Sequence, residues 1–168
     1  MKAAQIGAAG ALLVQYRLLK AGIDSAAMTT DDGIDLVTYS PRLHQALTIQ
    51  VKTNLKAKPG GGKGALALDW WLRLDSPAQL VALGDLSSDS IWMFTHDEFV
   101  ELAQQKSGGR AHLYFYEIAT ARTPERSSPV FFEKYRLERR IDELFGPPEG
   151  RAPSPVGPTT SPPKAPSA

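Results

Sequence analysis

The sequence predicts an α/β fold, a mixed central sheet flanked by helices, with a disordered proline-rich C-terminal tail. Three observations point to it. Ala4–Ala21 has helical composition and stops at Gly22. Asp32–Thr53 alternates apolar and polar residues in two runs rich in β-branched side chains. After Phe145 large apolar residues nearly vanish, and eight prolines follow before Ala168. Period-two alternation marks a half-buried strand, a 3.6-residue period marks a helix, and a segment without apolar side chains cannot offset its ordering entropy by burial. The chain therefore divides into one domain over 1–145 and a tail over 146–168.

In the first helix Leu12, Tyr16 and Leu19 share an apolar face. Gly7 and Gly10 each cost about 1 kcal/mol against alanine, which makes sense where a helix lies close on a sheet. Gln15, one turn beyond Ala11, is either a neutral contributor to a site or a solvated helix glutamine. Met1 and Lys2 before a run of small residues imitate a secretory signal, but Gln5 interrupts the run and the helical pattern continues through Lys20.

Ile23–Met28 reads as a first strand. Thr29–Gly33 turns into the second, with Asp31 and Asp32 as turn formers and Asp32 near enough to the next strand to act through water. Asp35 interrupts an apolar run, and a carboxylate in such a place needs a partner. Pro41–Ala46 forms a loop of about six residues between two hairpin strands. In the second of these, Leu47, Ile49 and Val51 alternate with Thr48, Gln50 and Lys52, so Gln50 and Lys52 leave on one face. Pairing Ser40 with Leu47 sets Asp35 opposite Lys52, and an acid, an amide and an amine then converge.

At these residues the chain resembles the PD-(D/E)XK nuclease superfamily, the restriction-endonuclease-like fold, in its small homing-endonuclease-like and Holliday-junction-resolvase-like branch. The pattern is an acid at the start of one strand and Glu-x-Lys or Gln-x-Lys on the next, here Asp35, Gln50 and Lys52. Gly7 and Gly10 fit the branch's Gly-x-x-Gly-Glu helix opening, with Ala11 standing where the family often has a metal-binding glutamate. The resemblance covers the first third of the chain well and the rest in outline.

The resemblance implies a divalent-metal-dependent nuclease that hydrolyses DNA phosphodiester bonds. Asp35 with the Val51 carbonyl would bind Mg²⁺ or Mn²⁺, Gln50 would complete or support the shell, and Lys52 would orient the attacking water and stabilise developing charge. A competing class is a nuclease-like fold that binds DNA or protein without cutting: Ala11 favours it, and Asp35 with Lys52 speak against it. A third is an unrelated α/β interaction protein with an accidental hairpin. A homodimer and a protein partner recruited by the tail complete the expected partners.

Beyond the hairpin, Asn54–Ala65 combines glycines with Lys56, Lys58 and Lys63. It is either a mobile loop that closes on a nucleic-acid backbone or a plain connection. It is no Walker loop, since Lys63 lacks the following Ser or Thr. Leu66–Leu74 reads as a short helix or strand in which Trp70 and Trp71 pack on the sheet, base stacking being the alternative. Leu80–Leu86 and Ser90–Thr95 pair around Ser87–Asp89 and continue the sheet. Asp97, or else Thr95, caps a helix over Glu98–Gln105. Ala111–Ile118 is a strand with His112, Tyr114 and Tyr116 on one face. A helix over Val130–Phe145 carries Arg136, Arg139 and Arg140, which either touch phosphates or, diluted by Glu133, Glu138, Asp142 and Glu143, form the expected salt-bridged solvent face.

Nineteen basic and eighteen acidic residues give a net charge of +1, so a surface for nucleic acid must be local. The absence of cysteine excludes disulfides, thiolate metal sites and a cysteine nucleophile. His44, His96 and His112 show no metal-ligand spacing. No run reaches the roughly 20 apolar residues of a membrane span, and a cytoplasmic protein is expected.

Overall fold

The computed structural model describes residues 1–30, 32–60 and 64–148. The elements, in order, are α1 (Ala3–Lys20), β1 (Asp24–Ala27), β2 (Leu36–Ser40), β3 (Gln45–Asn54), β4 (Lys58–Pro59), β5 (Leu66–Arg73), β6 (Leu80–Asp85) and β7 (Ser90–Thr95). Then come α2 (His96–Leu102), β8 (Gln105–Ser107), β9 (Arg110–Tyr116), α3 (Pro129–Phe132) and α4 (Leu137–Phe145). Among the described residues the strands form two sheets. The first, ordered β1-β2-β3-β6-β7, is mixed: β3 and β6 are parallel and the other neighbours antiparallel. The second, β4-β5-β9-β8, is antiparallel throughout. A parallel pair needs a crossover. Between β3 and β6 that crossover runs through β4 and β5, so the same connection founds the second sheet.

Two apolar clusters lie on opposite faces of the first sheet. On one, Val14 and Leu18 of α1 and Ile141 and Phe145 of α4 pack on Leu36, Ile49, Ala82 and Met93. On the other, Trp70 and Leu72 of β5 with Leu113 and Phe115 of β9 pack on Val81, Leu83, Trp92 and Phe94. β6 is buried along its whole length because it is covered on both faces. Each fully buried Leu or Phe contributes about 1.5–3 kcal/mol, so these two layers fix the position of β3 between them.

The sequence pattern misplaces the packing face of α1. Gly10, Val14 and Leu18 are buried. Leu12, Tyr16 and Leu19 are more than half exposed. The cause is steric: a Cβ on Gly10 would overlap the Thr53 side chain of β3, so the glycine is what lets this face approach the sheet. Around Gly7, by contrast, the space is open. Gly7→Ala is therefore expected to raise stability by about 0.5–1 kcal/mol and Gly10→Ala to lower it by about 1–3 kcal/mol, read as opposite shifts in urea midpoint.

Other expectations are corrected in detail. The expected helix over Val130–Phe145 is broken: α3 passes into a 3₁₀ turn at Glu133–Tyr135, and Arg136 is extended at φ −54° and ψ 135°. Arg136 makes an isolated bridge with Trp92 and sets its guanidinium 4.7 Å from that ring's centre, which ends one helix and starts the next. Arg140, assigned to a solvent face, is buried and hydrogen-bonds Glu98. Thr95, not Asp97, is the N-cap of α2, its side chain accepting from the Glu98 N–H while the Glu98 carboxylate accepts from the Thr95 N–H. No helix of the described residues is long and apolar enough to cross a membrane. Of the expected tail, all beyond residue 148 lies outside the described residues.

Candidate active site

The β2–β3 hairpin is tighter than expected. Ser40 pairs with Gln45 and Leu36 with Ile49, so the loop is Pro41–His44, two residues shorter than expected, and the predicted pairing of Ser40 with Leu47 does not form. His44 adopts φ 54°, the left-handed conformation that closes such a short turn. For the site, the slip keeps Gln50 and Lys52 on their face but moves Asp35 away from Lys52, and Asp35 is not among the residues lining the cavity that Gln50 and Lys52 share. A slip of one residue would turn every side chain to the other face, but a slip of two preserves faces. Asp35 no longer stands opposite Lys52 but falls at the level of Ile49–Val51.

The bonding at Asp35 shows what holds it there. Its N–H donates to the Ile49 carbonyl at 2.9 Å, its carbonyl accepts from the Met28 N–H at 2.9 Å, and its carboxylate Oδ2 accepts from the Val51 N–H at 2.6 Å. In a regular strand the N–H and C=O of one residue face the same neighbour. Here they face opposite ones, so the chain turns at Asp35 and its side chain serves Val51 where a backbone carbonyl would. The other oxygen, Oδ1, has no hydrogen-bond partner among the described residues.

Leu47 and Ile49 point toward α1, so Gln50 and Lys52 emerge on the opposite face, toward the second sheet. There they line a cavity of about 480 Å³ with Asp32, Arg73, Asp75 and Ser76. Gln50 is buried, and its Oε1 accepts from the Ser76 hydroxyl at 2.8 Å, which fixes the amide. Arg73 forks onto Asp75, Nε to Oδ1 at 2.9 Å and an Nη to Oδ2 at 2.7 Å. That hydrogen bonding holds the Asp75 carboxyl below its usual range. Lys52 makes neither hydrogen bond nor ion pair among the described residues, so its ammonium is available to a ligand.

Whether these side chains suit a divalent cation is a question of donors. No three His, Asp or Glu side chains gather to hold a metal among the described residues, and Ala11, where the resemblance has an acid, packs against the apolar cluster beside α1. A closed protein cage is therefore absent among them. Mg²⁺, however, commonly keeps its waters and takes one or two carboxylates plus substrate phosphate. The unpartnered Oδ1 of Asp35 fits that looser, substrate-shared arrangement.

The remaining candidates separate. Gln15 donates to the Ser25 carbonyl at 3.3 Å and so is occupied by β1. Lys56 is exposed. Lys58 lies in β4 and lines a different cavity, which shares no lining residue with that of Lys52. Lys63 falls outside the described residues. Ser76 and the Arg73–Asp75 pair carried no signal in the sequence, because they reach Gln50 and Lys52 only through the crossover.

No protein-family model matches the chain and no curated protein matches it significantly. Among solved structures it is similar to a bacterial homing endonuclease, I-Ssp6803I, with a TM-score of 0.55 and 18% identity over 84% of this chain and 93% of that one. It is also similar to Hjc, a Holliday junction resolvase of Archaeoglobus fulgidus, with a TM-score of 0.44 and 18% identity over 66% of this chain and 84% of that one. The fold is thus restriction-endonuclease-like, as the hairpin motif implied.

Proposed function

We propose that this chain is a DNA nuclease whose hydrolytic centre is formed by Asp35, Gln50 and Lys52, with a divalent cation shared between Asp35 and the substrate phosphate. The observation that supports it most is Lys52: a lysine on a nuclease-fold strand, unpaired among the described residues, in a cavity flanked by the rigidly held Gln50. Asp35 Oδ1, with the Val51 carbonyl, would hold Mg²⁺ or Mn²⁺. The chemistry such an ion supplies when bound is neutralisation of phosphate charge and a more acidic water. Lys52 is suited to orient the attacking water and to stabilise the negative charge that grows on the phosphate oxygens. Gln50 keeps its place through Ser76, and its amide N–H groups are left to a phosphate or a water.

A second reading has its own support in Ala11 and the missing acid cluster among the described residues: the fold binds DNA without cutting it. One assay separates the two. Supercoiled plasmid incubated with the full chain in Mg²⁺, in Mn²⁺ and in chelator is expected to be nicked or linearised in metal alone. Retarded but uncut plasmid in every condition would overturn hydrolysis in favour of binding.

A further inference from the structure

The outward face of the second sheet carries a row of half-exposed rings that its own core does not use. On β5 and β9, Leu68, Trp70, Leu113 and Phe115 point inward, and so Trp71, His112, Tyr114 and Tyr116 point out. Trp71 stacks on His112 with ring centres 4.2 Å apart and planes 4° from parallel. His112 lies 5.5 Å from Tyr114, and Tyr114 lies 6.1 Å from Tyr116 with the two rings at 80°. His112 is held from both sides, Nε2 at 3.0 Å from Asp69 Oδ2 and Nδ1 at 3.4 Å from Gln105 Oε1. Beside the row lies a cavity of about 350 Å³, lined among others by Lys58, Asp69, Gln105, Tyr114 and Tyr116.

We infer that this face binds single-stranded nucleic acid, one unpaired base entering the cavity and stacking on Tyr116 or Tyr114. Aromatic rings on an antiparallel sheet are stacking platforms for bases, and every base has a π-face to offer. The polar rim suits that occupant. Asp69 Oδ1, without a hydrogen-bond partner among the described residues, and the Gln105 amide can accept from or donate to a base edge, and exposed Lys58 stands where a phosphate would follow. The inference stands apart from the hydrolytic centre, because the two cavities share no lining residue.

The test is fluorescence anisotropy of labelled oligothymidine and oligouridine of about 12 nucleotides, in chelator, with the full chain. Binding that weakens with salt is expected, and Tyr116→Ala and Tyr114→Ala should each weaken it by about 5- to 100-fold, while Tyr116→Phe, which keeps the ring, restores it. Comparable affinity for both probes assigns the site to bases in general; preference for one assigns it to DNA or RNA. Unfolding midpoints verify that the alanine variants are folded, and the phenylalanine variant keeps the test open if they are not. Single-strand affinity indifferent to Tyr114 and Tyr116, or absent altogether, overturns the inference. Plasmid cutting reports separately: unchanged cutting in Tyr116→Ala with lost single-strand binding supports two sites, whereas an uncut plasmid with intact single-strand binding sinks only the nuclease proposal.

Discussion

Arg140→Ala is expected to lower the unfolding free energy by about 2–4 kcal/mol, the largest loss anticipated for any single polar side chain of this fold. Arg140 is 5% exposed, and its two Nη groups reach the Glu98 carboxylate at 3.0 to 3.1 Å. Glu98 also accepts from the Thr95 N–H at 2.8 Å, so the pair ties α4 to the first turn of α2. Removing the arginine leaves a void and takes the cation from two carboxylates, Glu98 and Glu143. The lower part of the range applies because the Glu98 side chain is 32% exposed and water replaces part of the interaction.

The pair also sets an acid dependence. Burial pushes the Glu98 carboxyl up, but hydrogen bonds from Arg140 and Thr95 and the charge of Arg140 outweigh it, leaving its pKa below the ordinary value. A depressed folded-state pKa gives stability that is present above the unfolded value of about 4.3 and is lost as pH falls through the folded one. Urea midpoints measured from pH 7 down through this window should fall for the natural chain and fall less for Arg140→Met/Glu98→Gln. Parallel pH profiles for the two would show that the pair does not set the acid limb.

Lys52→Met is expected to reduce plasmid cutting by about 100-fold or more with little change in stability. Lys52 lines the cavity, methionine matches the length of its methylene stem closely, and no partner is orphaned, since Lys52 has none among the described residues. Asp35 requires two substitutions to separate its roles. Asp35→Ala leaves the Val51 N–H without its acceptor, a loss of about 1–3 kcal/mol if water does not replace it. Asp35→Asn keeps an oxygen for Val51 and removes only the charge. Cutting that falls in both variants, with stability falling in the alanine variant alone, is the expected signature.

The hairpin was legible in the sequence because alternation alone fixes which face Gln50 and Lys52 take. Its register was not, because a left-handed residue at His44 shortened the turn, and nothing in the histidine announces that conformation. Leu12, Tyr16 and Leu19 misled for a different reason: apolar spacing identifies a stripe, but the clearance granted by Gly10 decided which stripe docks. Arg140 looked like one charge in a mixed row. Its partner Glu98 lies 42 residues away, beyond any helical spacing rule. The second sheet was likewise hidden, since Leu66–Leu74 left helix and strand open, and neither it nor the strand candidate Ala111–Ile118 gives any sign of pairing with the other.

Strand breakage in a labelled duplex, followed in Mg²⁺ with Asp35→Asn protein beside the natural chain, bears most directly on the hydrolytic centre. The natural chain should cut and the asparagine variant should be slower by about 100-fold or more at an unchanged unfolding midpoint. Equal rates in the two, or an intact duplex with both, would contradict it.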